Sequence, residues 1–178
     1  PAKLPSPAEW VTVRRVRVKD SVEYLWWLSK QPFPKADNRA VLTEYSADMK
    51  RLIERGYRAK ERPSGHKITN KFQRDHGGSI PSNLIERGNN ESNSEYIKRC
   101  AAVGQKAHPA RFPAALPDFF IRFLTNKGDV VLDPFAGSNM TGAVAEDLDR
   151  RWLGFERDKG YVENSTLRFD KVTRGSRR

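Results

Sequence analysis

The stretch Val130-Val-Leu-Asp-Pro-Phe-Ala-Gly-Ser-Asn-Met-Thr-Gly142 constrains more than any other what this chain can fold into. Three apolar residues in a row, Val130, Val131 and Leu132, predict a short strand buried on both faces, as in a parallel sheet. Asp133 ends it, and Pro134 has no amide hydrogen with which to continue a ladder. Gly137 and Ser138 permit a tight turn. Met140, Val144 and Leu148 then recur at the i, i+4, i+8 spacing of one helix face. A strand, a glycine turn and a helix N-terminus in that order build a ligand cradle at the carboxyl end of a sheet. The expected fold class is therefore α/β.

Gly137 and Gly142 have the G-x-x-x-x-G spacing of a phosphate loop, but Ala143 stands where such a loop needs its lysine. Without the cation that reaches the phosphates, a nucleotide triphosphatase is a poor reading. Arg151-Trp-Leu-Gly-Phe-Glu156 reads as the following strand and ends in an acid 23 positions after Asp133. An acid about 20 residues on binds the ribose hydroxyls in dinucleotide folds. The plain alternative has Asp133 capping the helix and Glu156 as a surface acid; the pair alone does not choose between them.

Charge narrows the class of partner. The chain carries 33 Lys+Arg against 22 Asp+Glu, a net +11, which points to a polyanion. Residues 50–76 hold nine Lys+Arg against three acids, mixed with hydroxyl and amide side chains that supply phosphate contacts and base-edge donors. Arg58, Lys60, Arg62, Ser64, His66, Lys67, Asn70 and Lys71 are the candidate DNA contacts; the bland reading is a solvated face. The basic tail at 171–178 meets a DNA backbone or nothing. A single cysteine, Cys100, excludes an internal disulfide and fits a reducing compartment, so the cytoplasm is expected. His66, His76 and His108 lie far apart with no second cysteine, so no metal site is expected. No apolar run approaches a membrane span and no signal-peptide core is present. The chain opens with Pro1 instead of Met, which suggests a processed or excised piece.

Elsewhere, Trp10-Val-Thr-Val-Arg-Arg-Val-Arg-Val18 alternates apolar and basic residues, and Glu23-Tyr-Leu-Trp-Trp-Leu-Ser29 follows after a turn. The two predict an antiparallel hairpin, with Tyr24, Trp26 and Trp27 as core in preference to a base-stacking platform. Helices are expected from Ser46 to Ile53, after a cap at Asn93 or Ser94, and around Pro117. The phenylalanines Phe119, Phe120 and Phe123 are expected in the core.

The string Asp133-Pro-Phe-Ala-Gly-Ser138, followed by a strand ending in Phe155-Glu156, resembles motif I and its acidic partner in the S-adenosylmethionine-dependent DNA amino-methyltransferases. Upstream, His108-Pro-Ala-Arg-Phe-Pro-Ala-Ala-Leu-Pro-Asp-Phe-Phe-Ile121 is similar to their motif X, and its place before motif I is the order of the permuted (β) class. Tyr161, Asn164, Ser165 and Arg168-Phe169 match the helix that usually finishes these proteins. The resemblance implies a partial Rossmann-like methyltransferase sheet, parallel strands plus the antiparallel hairpin, with an inserted loop-rich target-recognition region. It divides the chain into a hairpin end at 1–45, target recognition at 46–100, a cofactor-binding part at 101–170 and the tail. It also implies S-adenosylmethionine as cofactor. Asp133, Pro134, Phe135, Ala136, Gly137, Ser138, Asn139 and Thr141 would hold it from motif I, and Glu156 and Arg157 from the next strand. Ala107, His108, Pro109, Phe112 and Pro113 would close the other side. Asn139-Met140 stand where Gly-Thr or Asn-Thr is commoner, and Asn can supply the left-handed or capping geometry of glycine.

The family activates an exocyclic amine with Asp/Asn/Ser-Pro-Pro and an aromatic residue, whose acceptors take the amine hydrogens while the ring stacks on an extruded base. No Pro-Pro dipeptide occurs in this sequence, so no catalytic residue is assigned; an upstream segment or a second chain is expected to carry that motif. Double-stranded DNA is the expected partner, and Gly77-Gly-Ser-Ile-Pro-Ser-Asn83 resembles the subgroup that methylates cytosine N4; adenine N6 is the alternative. An inactive DNA-binding remnant, and an enzyme acting on RNA or a small molecule, stay open.

Overall fold

The computed structural model describes residues 9–56, 74–88 and 94–169, and divides the chain at Pro34 into two compact units. In the first, Glu9–Val13 forms one π-helical turn, with the Arg14 guanidinium over the Trp10 ring. The hairpin expected over Trp10–Ser29 does not form: no described residue between 14 and 34 is in a strand. Val18, Tyr24, Trp26 and Leu28 are each 85–87% exposed, so the expectation that the aromatics lie in a core is corrected as well. Two strands with nothing against their apolar face are marginal in water, and alternation records a side-chain period without supplying that face.

The second unit is built on two parallel strands, β1 (Val130–Asp133) and β2 (Arg151–Gly154), in register Val131↔Trp152 and Asp133↔Gly154. Between them runs α4 (Met140–Asp147), the crossover that a parallel pair requires. Among the described residues three α-helices precede it, α1 (Ala47–Arg55), α2 (Glu95–Ala102) and α3 (Ala115–Leu124), and α5 (Lys159–Ser165) follows β2. The expected cap at Ser94 is made, accepting from the Ile97 amide at 3.4 Å, and Ser46, expected inside its helix, caps it instead by accepting from the Met49 amide at 3.2 Å. α2 runs through the 100/101 position at which the resemblance divides recognition from cofactor binding.

The predicted helix face holds. Met140, Val144 and Leu148 are 5%, 7% and 9% exposed, and with Ala145 and Ile121 of α3 they form the core under Val131 and Trp152. That core covers one face of the sheet only. Val130, Leu132 and Leu153, pointing the other way, are 49%, 59% and 56% exposed, so burial on both faces is corrected to burial on one. Neighbours in a strand face opposite sides, and the described helices of this unit cover just one of them. Phe119, Phe120 and Phe123 are half-buried instead of fully so; they pack on one another, Phe119 and Phe120 edge to face at 5.3 Å between centroids.

Asn139 enters α4 left-handed at φ 54° and accepts from the Gly142 amide at 3.0 Å, so it supplies both expected geometries, turn and cap. Gly142 leaves room for this cap: a Cβ would fall 2.3 Å from Asn139 Oδ1 and push the capping side chain away. The two roles are separable. Asn139→Gly should cost a few tenths of a kcal/mol and Asn139→Ala about 2 kcal/mol, because alanine loses the cap and must also be forced left-handed. Thermal unfolding of the two variants measures the gap; equal midpoints would refute the account.

Candidate cofactor site at the ends of the parallel strands

Parallel register puts the ends of β1 and β2 side by side, and each end delivers a carboxylate to one loop. Asp133 Oδ1 accepts from the Phe135 amide at 3.0 Å, and Oδ2 from the Thr141 hydroxyl at 2.6 Å. Glu156 Oε2 accepts from the Gly137 amide at 3.0 Å and Oε1 from the Asp158 amide at 2.9 Å. The backbone laces the same turn: Phe155 N–H donates to Asp133 O, and Ala136 N–H to Phe155 O, both at 2.8 Å. The two acids therefore hold one loop, 135–141, from its two sides. The plain alternative, Asp133 as the helix cap, is corrected: Asn139 caps α4, and Asp133 instead holds the loop through Phe135 and Thr141.

Glu156 is set up as an ion. The amide of Asp158, then those of Gly137 and Arg157, hold its carboxyl below the ordinary glutamate range, against a smaller opposing effect of burial. Because its pKa is lower folded than unfolded, its contribution is present in full above the ordinary range and disappears as pH falls through the lowered value. The stability gap between the natural chain and Glu156→Gln should thus narrow in urea titrations taken from neutral pH to about pH 3. A gap that stays constant would remove the clasp.

The loop expected to close the other side is present at the same turn. A Cβ on Gly137, itself at φ 52°, would sit 3.3 Å from the His108 ring, so His108 lies against the glycine. His108 Nδ1 bonds the Ala110 carbonyl at 2.7 Å, within its own loop. Helix α5 pins this loop: the Tyr161 ring meets His108 edge-on at 4.4 Å, and Asn164 Nδ2 donates to the Lys106 carbonyl at 3.1 Å. Ala107 and Pro113 are half-buried. Pro109, Phe112, Pro134, Phe135 and Arg157 are exposed, Phe135 at 87%. Asp133, Glu156 and His108 are thereby brought to one turn, which Arg157 joins through the backbone amide that bonds Glu156.

Two partners were not singled out as site residues by sequence reasoning. Arg168 donates through Nη2 to Ser138 Oγ at 2.8 Å and through Nε to the Ser138 carbonyl. Its guanidinium lies 4.1 Å from the centre of the buried Tyr96 ring. No local pattern announces contacts across such separations. The candidate DNA contacts Arg58 to Lys71 and the tail fall outside the described residues. Among the described residues no group of His, Cys, Asp and Glu could hold a metal ion, and no helix is long and apolar enough to cross a membrane.

Known proteins are similar to this chain in sequence and in fold. Type II methyltransferase M.PvuII of Proteus hauseri is 54% identical over 172 residues, 95% of this chain and 51% of its own. Type II methyltransferase M2.MboI of Moraxella bovis is 35% identical over 95 residues, 51% of this chain and 35% of its own. The solved structure of PvuII DNA methyltransferase (cytosine-N4-specific) superposes with a TM-score of 0.68 at 42% identity, covering 97% of this chain and 50% of that one. The chain thus spans about half the length of M.PvuII, and a smaller share of M2.MboI. The family model N6_N4_Mtase, described as DNA methylase, matches residues 2–167, and the chain belongs to that family.

Proposed function

We propose that this chain is the cofactor-holding and DNA-reading part of a permuted-class methyltransferase that transfers a methyl group from S-adenosylmethionine to N4 of cytosine in double-stranded DNA. The observation that carries the reading is the pair of strand-end carboxylates, Asp133 and Glu156, holding one glycine turn. The residues fit the cofactor. An ionised Glu156 is an acceptor for a ribose diol, and Gly137, having no side chain, lets the His108 loop close directly on the turn. Bound there, the cofactor supplies an electrophilic methyl group on a sulfonium. The chain's own part is to bind and orient it through Asp133, Glu156 and the loop 107–113. Cytosine is favoured over adenine by the cytosine-N4 specificity of the PvuII enzyme. The His108 segment preceding the Val130–Gly142 turn in sequence supports the permuted order. One buried free cysteine suits the cytoplasm.

The groups that activate the amine lie outside these 178 residues on this reading, since no Pro-Pro dipeptide is present and the relatives are longer. Radiolabelled S-adenosylmethionine and duplex DNA should give no methyl transfer with this chain alone; robust transfer would overturn the division of labour. Duplex DNA should outcompete RNA for binding. Arg62→Ala and Lys67→Ala should each reduce the salt slope of DNA binding by about 1 while leaving cofactor affinity unchanged. An unaltered slope would move the DNA-reading surface elsewhere.

A further inference from the structure

The turn between β1 and α4 contains two left-handed residues, Gly137 at φ 52° and Asn139 at φ 54°, with Ser138 between them. Such a backbone persists only where its surroundings over-determine it. Gly137 is held by Glu156, and Asn139 by its cap to Gly142 and by donating to the Ala136 carbonyl. Ser138, 4% exposed, is held from outside the strand–turn–helix unit. Arg168, thirty residues on, grips it at both the carbonyl and the hydroxyl. The guanidinium in turn rests on Tyr96, 3% exposed, on helix α2. A planar fork can hold two acceptors at once while its face lies on an aromatic ring; an ammonium cannot.

We infer that Arg168 is a positioning residue for the cofactor turn: it fixes the Ser138 peptide so that the Gly137 and Asn139 backbone is set before the cofactor arrives, and it ties that turn to α2 through Tyr96. The inference rests on the proposed cofactor site for its consequence, but not for its geometry. A structural role alone would show as lost stability. A positioning role predicts lost affinity that a free guanidinium ion restores.

The test compares the full chain with Arg168→Ala, Arg168→Lys and Tyr96→Leu. Calorimetry should find S-adenosylmethionine binding about tenfold weaker in Arg168→Ala, as for one lost charged hydrogen-bond donor. Low millimolar guanidinium, far below denaturing concentrations, should recover most of that loss, and should recover less when Tyr96→Leu is added. Amide hydrogen exchange on the free protein should show residues 137–139 losing protection in Arg168→Ala and regaining it with guanidinium. Affinity and protection like those of the natural chain, or loss without rescue, overturn the assignment. Should Arg168→Ala not fold, Arg168→Lys decides: weaker binding and faster exchange at an unchanged unfolding midpoint support it, and unaltered values sink it. If the natural chain binds no S-adenosylmethionine, the proposed function fails by itself and the exchange data alone judge Arg168.

Discussion

Replacing Glu156 by alanine should weaken S-adenosylmethionine binding by a factor of about 10 to 100, with the far-ultraviolet circular dichroism unchanged. A hydrogen bond to a charged acceptor is worth about 1.5–3 kcal/mol, which is that range in affinity. Glu156 is suited to the role because its ionised form is already favoured by backbone amides, so no proton has to be lost on binding. It also holds the Gly137 amide, so its removal loosens the turn as well as the diol contact. Asp133→Ala should also weaken binding, and should loosen the loop by releasing Phe135 and Thr141. Glu163→Ala, an exposed acid on α5 engaged by Lys159, is the control and should bind normally. Affinity in Glu156→Ala equal to that of the natural chain would remove the site from the ends of the strands.

Ile121→Ala should be the most destabilising single truncation among these, at about 2–5 kcal/mol, while Ile121→Val should cost about 1 kcal/mol. Ile121 is 5% exposed where α3 meets α4, in a core cluster of five buried side chains. With so few residues sharing the burial, the cavity left by alanine has little around it that can collapse inward. Domains of this kind have about 5–15 kcal/mol in reserve, so the alanine variant should lose a large fraction of its stability. Urea titration reads this as a lower midpoint at an unchanged slope. Similar midpoints for the two variants would mean that α3 does not pack on α4 as described.

The segment 130–148 was readable because every local preference in it agrees. Pro134 stops the strand, Gly137 and Asn139 accept positive φ, and the apolar period of α4 matches the face that is buried. The spacing of Asp133 and Glu156 allowed a pair without choosing it; the motif-like string around them made the choice, and the parallel crossover does return the chain to the neighbouring register. The hairpin at 10–29 was misread because alternation reports where side chains point and not whether anything stands opposite them. Val130 and Leu132 were misread for a related reason: an apolar run signals a demand for cover on two sides, and only one side is met by α4. The grip of Arg168 on Ser138 and its rest on Tyr96 depend on three separate elements meeting, which periodicity within any one of them does not encode.

A sheet coated with helices on one side has a thermodynamic consequence beyond its site. Folding withdraws less hydrocarbon from water than it would in a sheet sandwiched between two layers, so the heat-capacity increment of melting should be small for a chain of this length. The stability curve should be correspondingly shallow, declining gradually with temperature and denaturant instead of collapsing over a narrow interval.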